Sequence, residues 1–77
     1  MRITYDKQED IAYIYFVDHP EPGSAANTYV LTEDYNLDLK GDVNLDADKN
    51  GKLLGLELYP AISFLDAEVL NKAEIIG

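Results

Sequence analysis

The order of apolar and polar residues divides the chain near residue 60. Before that point apolar residues recur at period two, the repeat of a strand with one buried face. "RITY" sets Ile3 and Tyr5 on one side of a short strand, and "YDKQED" reads as the polar turn that follows. In "IAYIYFV", Ile11, Tyr13, Tyr15 and Val17 face one way, and Ala12, Ile14 and Phe16 the other. A strand apolar on both faces belongs at the centre of a sheet, covered on both sides, or by a helix on one side and a partner subunit on the other. Pro20, Pro22 and Gly23 make "DHPEPGS" a loop, because proline has no N–H for a ladder. "NTYVLTED" predicts a third strand and "YNLDL" a short alternating piece, which Gly41 breaks from the next strand.

Beyond Pro60 the period lengthens. Ile62, Leu65, Val69, Ala73 and Ile76 recur at steps of three and four, which predicts a helix. Ser63 or Asp66 is its N-cap, with Asp66 and Glu68 near the start, Lys72 near the end and Gly77 just beyond. The pattern predicts an α+β fold: a small antiparallel β-sheet of four to five strands with one C-terminal helix, as a single domain over 1–77. The pairing of residues 18–41 stays open.

One stretch supports two readings. "DADKNGKLLGLE", residues 46–57, fits the calcium-loop pattern of an EF-hand through Asp46, Asp48, Asn50, Gly51 and Glu57. An EF-hand needs a helix on either side, but here the flanks alternate: Leu37, Leu39, Val43 and Leu45 before, Leu54, Leu56 and Leu58 after. Asn50-Gly51 read as a type I′ hairpin turn sets Ala47 against Leu54, Leu45 against Leu56 and Val43 against Leu58. Asn44, Asp46, Asp48, Gly55 and Glu57 then share the other face, with Leu53 among them. A three-residue loop would shift this register by one and bury Glu57, so an even-length loop is expected. On such a hairpin Glu57 lies roughly 20 Å from Gly51 along its strand, too far to close a site with Asp48 and Asn50. What remains of the metal reading is a weak site at the turn, Asp46–Gly51.

Charge narrows the classes of partner. Fifteen acidic residues against six basic ones give a formal net charge of −9. Arg2, Lys7, Lys40, Lys49, Lys52 and Lys72 are scattered and form no stripe that would replace phosphate counterions, so neither nucleic acid nor an anionic membrane is an expected partner. A basic protein or a divalent cation remains compatible. The chain has no cysteine, hence no disulfide and no thiolate chemistry. With a charged first ten residues, no signal-like apolar core and no apolar run near the ~18 residues of a membrane span, the expected setting is the cytoplasm. A chain of this length buries only roughly 60% of its unfolded surface, which makes self-association an expected source of stability.

Candidate chemistry is sparse. His19, the one histidine, stands in a loop beside Pro20 with no designed relay partner. Asp46 and Glu57, diagonal on the polar face, form a possible carboxylate pair for acid–base work, set against a role in pairing with a lysine or backbone. Tyr13, Tyr15 and Tyr29 on strands suit a subunit interface or shallow ligand surface as well as plain packing. No phosphate loop or Ser-His-Asp set is present. No catalytic residue, no cofactor and no resident metal are assigned.

"ITYDKQEDIAYIYF" resembles the opening of the YuzE-like (DUF2283) family of small bacterial proteins of unknown function, through Tyr5, Asp6, Asp10, Tyr13 and Ile14. "NLDADKNGKLLGLELYPA" resembles a second signature of that family, through Asn50, Gly51, Gly55, Glu57 and Ala61. The segment "HPEPGSAANTYVLTEDYNLDLKG" is longer than that pattern. The resemblance implies antiparallel strands with a helix, an oligomer, no assigned reaction and a link to toxin–antitoxin-like pairs. The expected function is a non-enzymatic acidic interaction domain, an antitoxin-like partner of a basic protein and a homo-oligomer. The alternative is a weak divalent-cation or small-ligand binding module.

Overall fold

The computed structural model describes residues 1–35 and 37–77. Among them six strands build one sheet: β1 (Arg2–Asp6), β2 (Ile11–Tyr15), β3 (Asn27–Val30), β4 (Asp42–Ala47), β5 (Leu53–Tyr59) and β6 (Glu74–Ile75). Their order is β3-β4-β5-β2-β1-β6, antiparallel throughout except for the parallel pair β1–β6. Helix α1 (Leu31–Asp34) follows β3, and a 3-10 turn (Ala61–Ser63) and helix α2 (Ala67–Lys72) separate β5 from β6. The sheet is therefore mixed and larger than the four to five antiparallel strands that the pattern predicts.

Two boundaries differ from the expected ones for local reasons. The third strand stops at Val30, because the chain must reverse to enter β4 at Asp42, and it begins to do so with the Tyr35 N–H donating to the Leu31 carbonyl at 3.3 Å. Of the predicted "YNLDL" piece, Asn36 lies outside the described residues, and Tyr35 and residues 37–39 belong to no strand. At the other end the helix covers Ala67–Lys72 and does not reach Ile76. Asp66 takes the N-cap position, while Ser63 ends the 3-10 turn. Ala73 is extended (φ −72°, ψ 156°), and Glu74 and Ile75 pair with Thr4 and Tyr5 of β1. Ladder bonds to β1 and the Arg2–Glu74 ion pair at 2.9 Å compete here against one more helical turn, in a segment whose paired isoleucines favour strand.

The β4–β5 hairpin corrects the turn and keeps the register. Val43 faces Leu58 and Leu45 faces Leu56, as the alternation requires, but Ala47 faces Leu53 and not Leu54. The loop has three residues, 49–51, not an even number. Its Asp48 N–H donates to the Lys52 carbonyl at 2.9 Å, and the Gly51 N–H donates to the Asp48 carbonyl at 3.0 Å. Gly51 has φ +79°, whereas Asn50 keeps a negative φ, so this is no type I′ turn. A β-bulge between Asp46 and Ala47, with Leu54 the extra residue on β5, absorbs the one-residue shift that the odd loop introduces.

Cross-strand rows define the two faces. On one side run Ile3, Ile14, Leu56, Leu45 and Tyr29, and beside them Tyr5, Ala12, Leu58 and Val43. This face carries the core: Ala12, Val43 and Leu58 pack with Ala61 and Leu70, ringed by Leu31, Phe64 and Leu65 from the helical segments. The Ala61 N–H donates to the Asp10 carbonyl at 2.8 Å, and Tyr5 Oη donates to Asp10 Oδ1 at 2.9 Å, which fastens the segment after β5 to the β1–β2 turn. Helical cover thus lies on one face. The residues of the opposite face form the candidate site.

Candidate functional site

Two rows of side chains cross that opposite face. One runs Thr4, Tyr13, Glu57, Asn44 and Val30; the other runs Arg2, Tyr15, Gly55, Asp46 and Thr28. Gly55 is the key to their packing. With no side chain there, the Tyr13 ring leans across into the second row, where a Cβ on Gly55 would meet Tyr13 Cε1 at 2.5 Å and collide with the Ile14 carbonyl oxygen. The ring's tip reaches Asp46, and Tyr13 Oη donates to Asp46 Oδ2 at 2.6 Å. Thr28 Oγ1 donates to the other oxygen, Asp46 Oδ1, also at 2.6 Å. Three strands, β2, β4 and β3, are joined through one carboxylate.

Glu57 stands directly between Tyr13 and Asn44 in its row. Asn44 Nδ2 donates to Glu57 Oε1 at 3.1 Å, and among the described residues this is the hydrogen bond the Glu57 carboxylate makes. Asn44 Oδ1 is buried without a partner among them. At the β1 end the Arg2 guanidinium lies 4.5 Å from the Tyr15 ring centroid, Tyr15 is 4.5 Å from Tyr13, and Arg2 Nε donates to Glu74. The hydrogen bond to Glu74 holds the Arg2 pKa above its ordinary value.

The expected pair of carboxylates, Asp46 and Glu57, is brought to one face on a diagonal, as the alternation requires. Arg2, Thr28 and Asn44, which complete the network, were not singled out by sequence. A glycine flanked by leucines in a strand marks a place where another group approaches closely, which signals the packing of Tyr13 on Gly55 but none of these three residues. His19 sits in an exposed loop and makes no hydrogen bond or ion pair with another described residue. Tyr29 lies at the far end of the core face, opposite Leu45.

The former calcium spelling is dispersed. Asp48 Oδ1 accepts the N–H groups of Asn50 at 2.8 Å and Lys52 at 2.9 Å, so this carboxylate closes the turn, while Asp46 and Glu57 point into the tyrosine face. A shallow cleft of about 370 Å³ borders the turn, lined by residues that include Glu21, Ser24, Asp48 and Asn50. No group of three His, Cys, Asp or Glu side chains among the described residues is arranged to hold a metal ion. No helix of those residues is long and apolar enough to cross a membrane.

Burial, the hydrogen bond to Asp46 and its negative charge all raise the Tyr13 pKa well above the ordinary 10.0. The sign follows directly. Above pH 10 the unfolded phenol loses its proton while the folded one keeps it, so stability is fully present below that pH and falls as the solution becomes more alkaline. In a titration of the phenolate absorbance, Tyr13 is expected among the last tyrosines to ionise, together with Tyr5, which its hydrogen bond to Asp10 also raises. Tyr13→Phe should cost about 1 kcal/mol at neutral pH by denaturant titration and should lessen the alkaline loss. An unchanged alkaline slope in that variant would mean that Tyr13 is not the group responsible.

The fold and face define a class: a small mixed-sheet protein with helices on one side and a tyrosine–carboxylate network on the other. The family model described as "Protein of unknown function (DUF2283)" matches residues 2–61, most of the chain, and the protein belongs to that family. The match ends at Ala61, so α2 and β6 lie beyond it. No curated protein and no solved structure matches the chain.

Proposed function

We propose that the protein is a non-catalytic acidic interaction module of the cytoplasm that binds a basic protein partner, in the manner of an antitoxin, through the tyrosine–carboxylate face. The observation that carries this reading is the face itself: Asp46 and Glu57 are held in fixed positions beside the rings of Tyr13 and Tyr15 on a side of the sheet free of helical cover. Fixed carboxylates next to aromatic rings suit a guanidinium or ammonium group, which gains charge pairing and ring contact together. Arg2, stacked on Tyr15 and bonded to Glu74, illustrates the same chemistry within the chain. A net charge of −9 draws such a partner from a distance. Both Asp46 oxygens accept from hydroxyl donors, which holds this carboxylate in place, while Glu57 keeps an oxygen that can face a partner's cation.

An arginine-rich peptide, followed by amide NMR, tests the reading. Shifts should concentrate on β2, β4 and β5 around Tyr13, Asp46 and Glu57, and affinity should fall steeply with salt. Glu57→Gln removes one charge without changing shape and should weaken binding by about three- to tenfold. Shifts spread evenly over the surface, or binding indifferent to Glu57→Gln, would count against it. The second reading, a weak divalent-cation or small-ligand module, draws its support from the cleft beside the Asp48 turn. Shifts confined to residues 48–51 on calcium addition would favour it.

A further inference from the structure

A third row lies on the open face beyond Glu57 and Asn44. Asp42 and Tyr59 pair one step outside Val43 and Leu58, so alternation sets both on the open side, where Asp42 is exposed and Tyr59 is 47% exposed. Between the Asp42–Tyr59 and Asp46–Gly55 pairs, the β4–β5 hairpin turns Asp42, Asn44, Asp46, Gly55, Glu57 and Tyr59 to this side, with no basic residue among them. Its three carboxylates stand in successive rows. Strand geometry puts each row roughly 7 Å from the next, so Asp42 lies roughly 13 Å from Asp46 along β4, with Glu57 midway on the adjoining strand. Each has a tyrosine beside it: Tyr13 bonds Asp46 and neighbours Glu57, and Tyr59 faces Asp42.

The charge on this line is not balanced within the chain. Among the described residues, ion pairs join the Met1 amino group to Asp18, Arg2 to Glu74 and Lys72 to Glu68, and none includes Asp42, Asp46 or Glu57. Asp42 accepts one long hydrogen bond, from Thr32 Oγ1 at 3.5 Å. Asp46 is fixed by its two hydroxyl donors, yet each of its oxygens keeps a second lone pair for a further donor.

We propose that this line of carboxylates reads an extended basic segment of the partner, with arginine or lysine at alternate positions, lying along β4 and β5. An extended chain turns every second side chain to one side at the same interval of roughly 7 Å, so cations at i, i+2 and i+4 meet Asp46, Glu57 and Asp42 in turn. A helix would dock by burying an apolar stripe in a groove, and between these carboxylates the face offers Asn44 and Gly55 instead. The proposal rests on the reading of this face as the site of a basic partner, and adds the form that the partner's segment must take.

Three peptides of equal composition test it, each with three arginines: at i, i+2 and i+4, in one contiguous run, or at i, i+4 and i+8. Titrated against the full chain and followed by amide NMR, the alternating peptide should bind about fivefold tighter than either of the others, or better. Asp42→Asn should weaken its binding about three- to tenfold. That effect should shrink below about twofold for one of the two peptides in which a terminal arginine is replaced by glutamine, which identifies the arginine that meets Asp42. Glu68→Gln removes the same charge from α2, away from this face, and should change affinity by less than about twofold. Equal affinity for the three peptides, tightest binding of the i, i+4, i+8 peptide, or an Asp42→Asn effect no larger than that of Glu68→Gln would each overturn the extended alternating segment and leave a basic partner on the face. Shifts absent from Tyr13, Asp46 and Glu57 with all three peptides would overturn the underlying reading as well.

Discussion

Replacing Gly55 with alanine is expected to cost about 3 kcal/mol, although it adds one methyl group. The new Cβ enters space held by the Tyr13 ring, at 2.5 Å from Cε1 and 3.0 Å from Cζ, and also collides with the Ile14 carbonyl oxygen. The ring end is able to move, but only by giving up the Tyr13–Asp46 hydrogen bond; the carbonyl belongs to the β2–β5 ladder and cannot move without disturbing it. Two effects should therefore be separable. Tyr13→Ala in the Gly55→Ala background relieves the ring clash and leaves the backbone one, so the double variant should be less destabilised than the two single costs added together. The measurement is denaturant unfolding of the four proteins. A Gly55→Ala change within about 0.5 kcal/mol of the parent would show that the ring does not occupy that gap. Loss of peptide shifts around Asp46 in the same variant would tie the packing to the binding face.

Leu58→Ala should be the most damaging truncation of the core, at about 3–4 kcal/mol. Leu58 is 5% exposed and sits between Ala12 on β2 and Val43 on β4, beneath Ala61 and Leu70. Two of its four neighbours are alanines, whose side chains are too short to reach into the space it would leave. A chain of this size has a total stability of roughly 4–12 kcal/mol, so the loss takes a large part of it. The melting temperature should fall by about 15 °C or more. Ile62→Ala is the matching control, since that side chain is mostly in solvent and should change stability by less than about 0.5 kcal/mol. Equal effects at the two positions would place the core elsewhere.

Local alternation was enough to read β1, β2, β4 and β5, and the partition of the β4–β5 hairpin into Val43, Leu45, Leu56 and Leu58 on one face and Asn44, Asp46, Gly55 and Glu57 on the other. The length of its loop was not readable, because a bulge at Leu54 restores the register that an odd loop upsets, and the two shifts cancel in the pattern. The C-terminal strand was hidden for a related reason. Ala73 and Ile76 continue the helical period, and what pulls the chain out of the helix is a pairing site on β1, at the far end of the sequence. The candidate site was half visible. Asp46 and Glu57 share a face by alternation within one hairpin, whereas Tyr13 joins them only because β2 lies beside β5, a non-local pairing that periodicity does not encode. Tyr13 stands in one of the two stretches that carry the family resemblance and Gly55 and Glu57 in the other, and the sheet order brings those stretches into contact.

That central pairing also governs how the chain must assemble. The β1–β2 and β4–β5 hairpins each close over short turns and form early, but the ladder joining Ala12 to Leu58 and Ile14 to Leu56 must wait for two distant parts of the chain to meet. Until then each half displays an apolar stripe and an unpaired strand, the features that make nascent chains stick to one another. Here the acidic composition serves the newborn chain as well as the finished protein. Carboxylates spread along both halves hold separate molecules apart during the interval before β2 and β5 find each other.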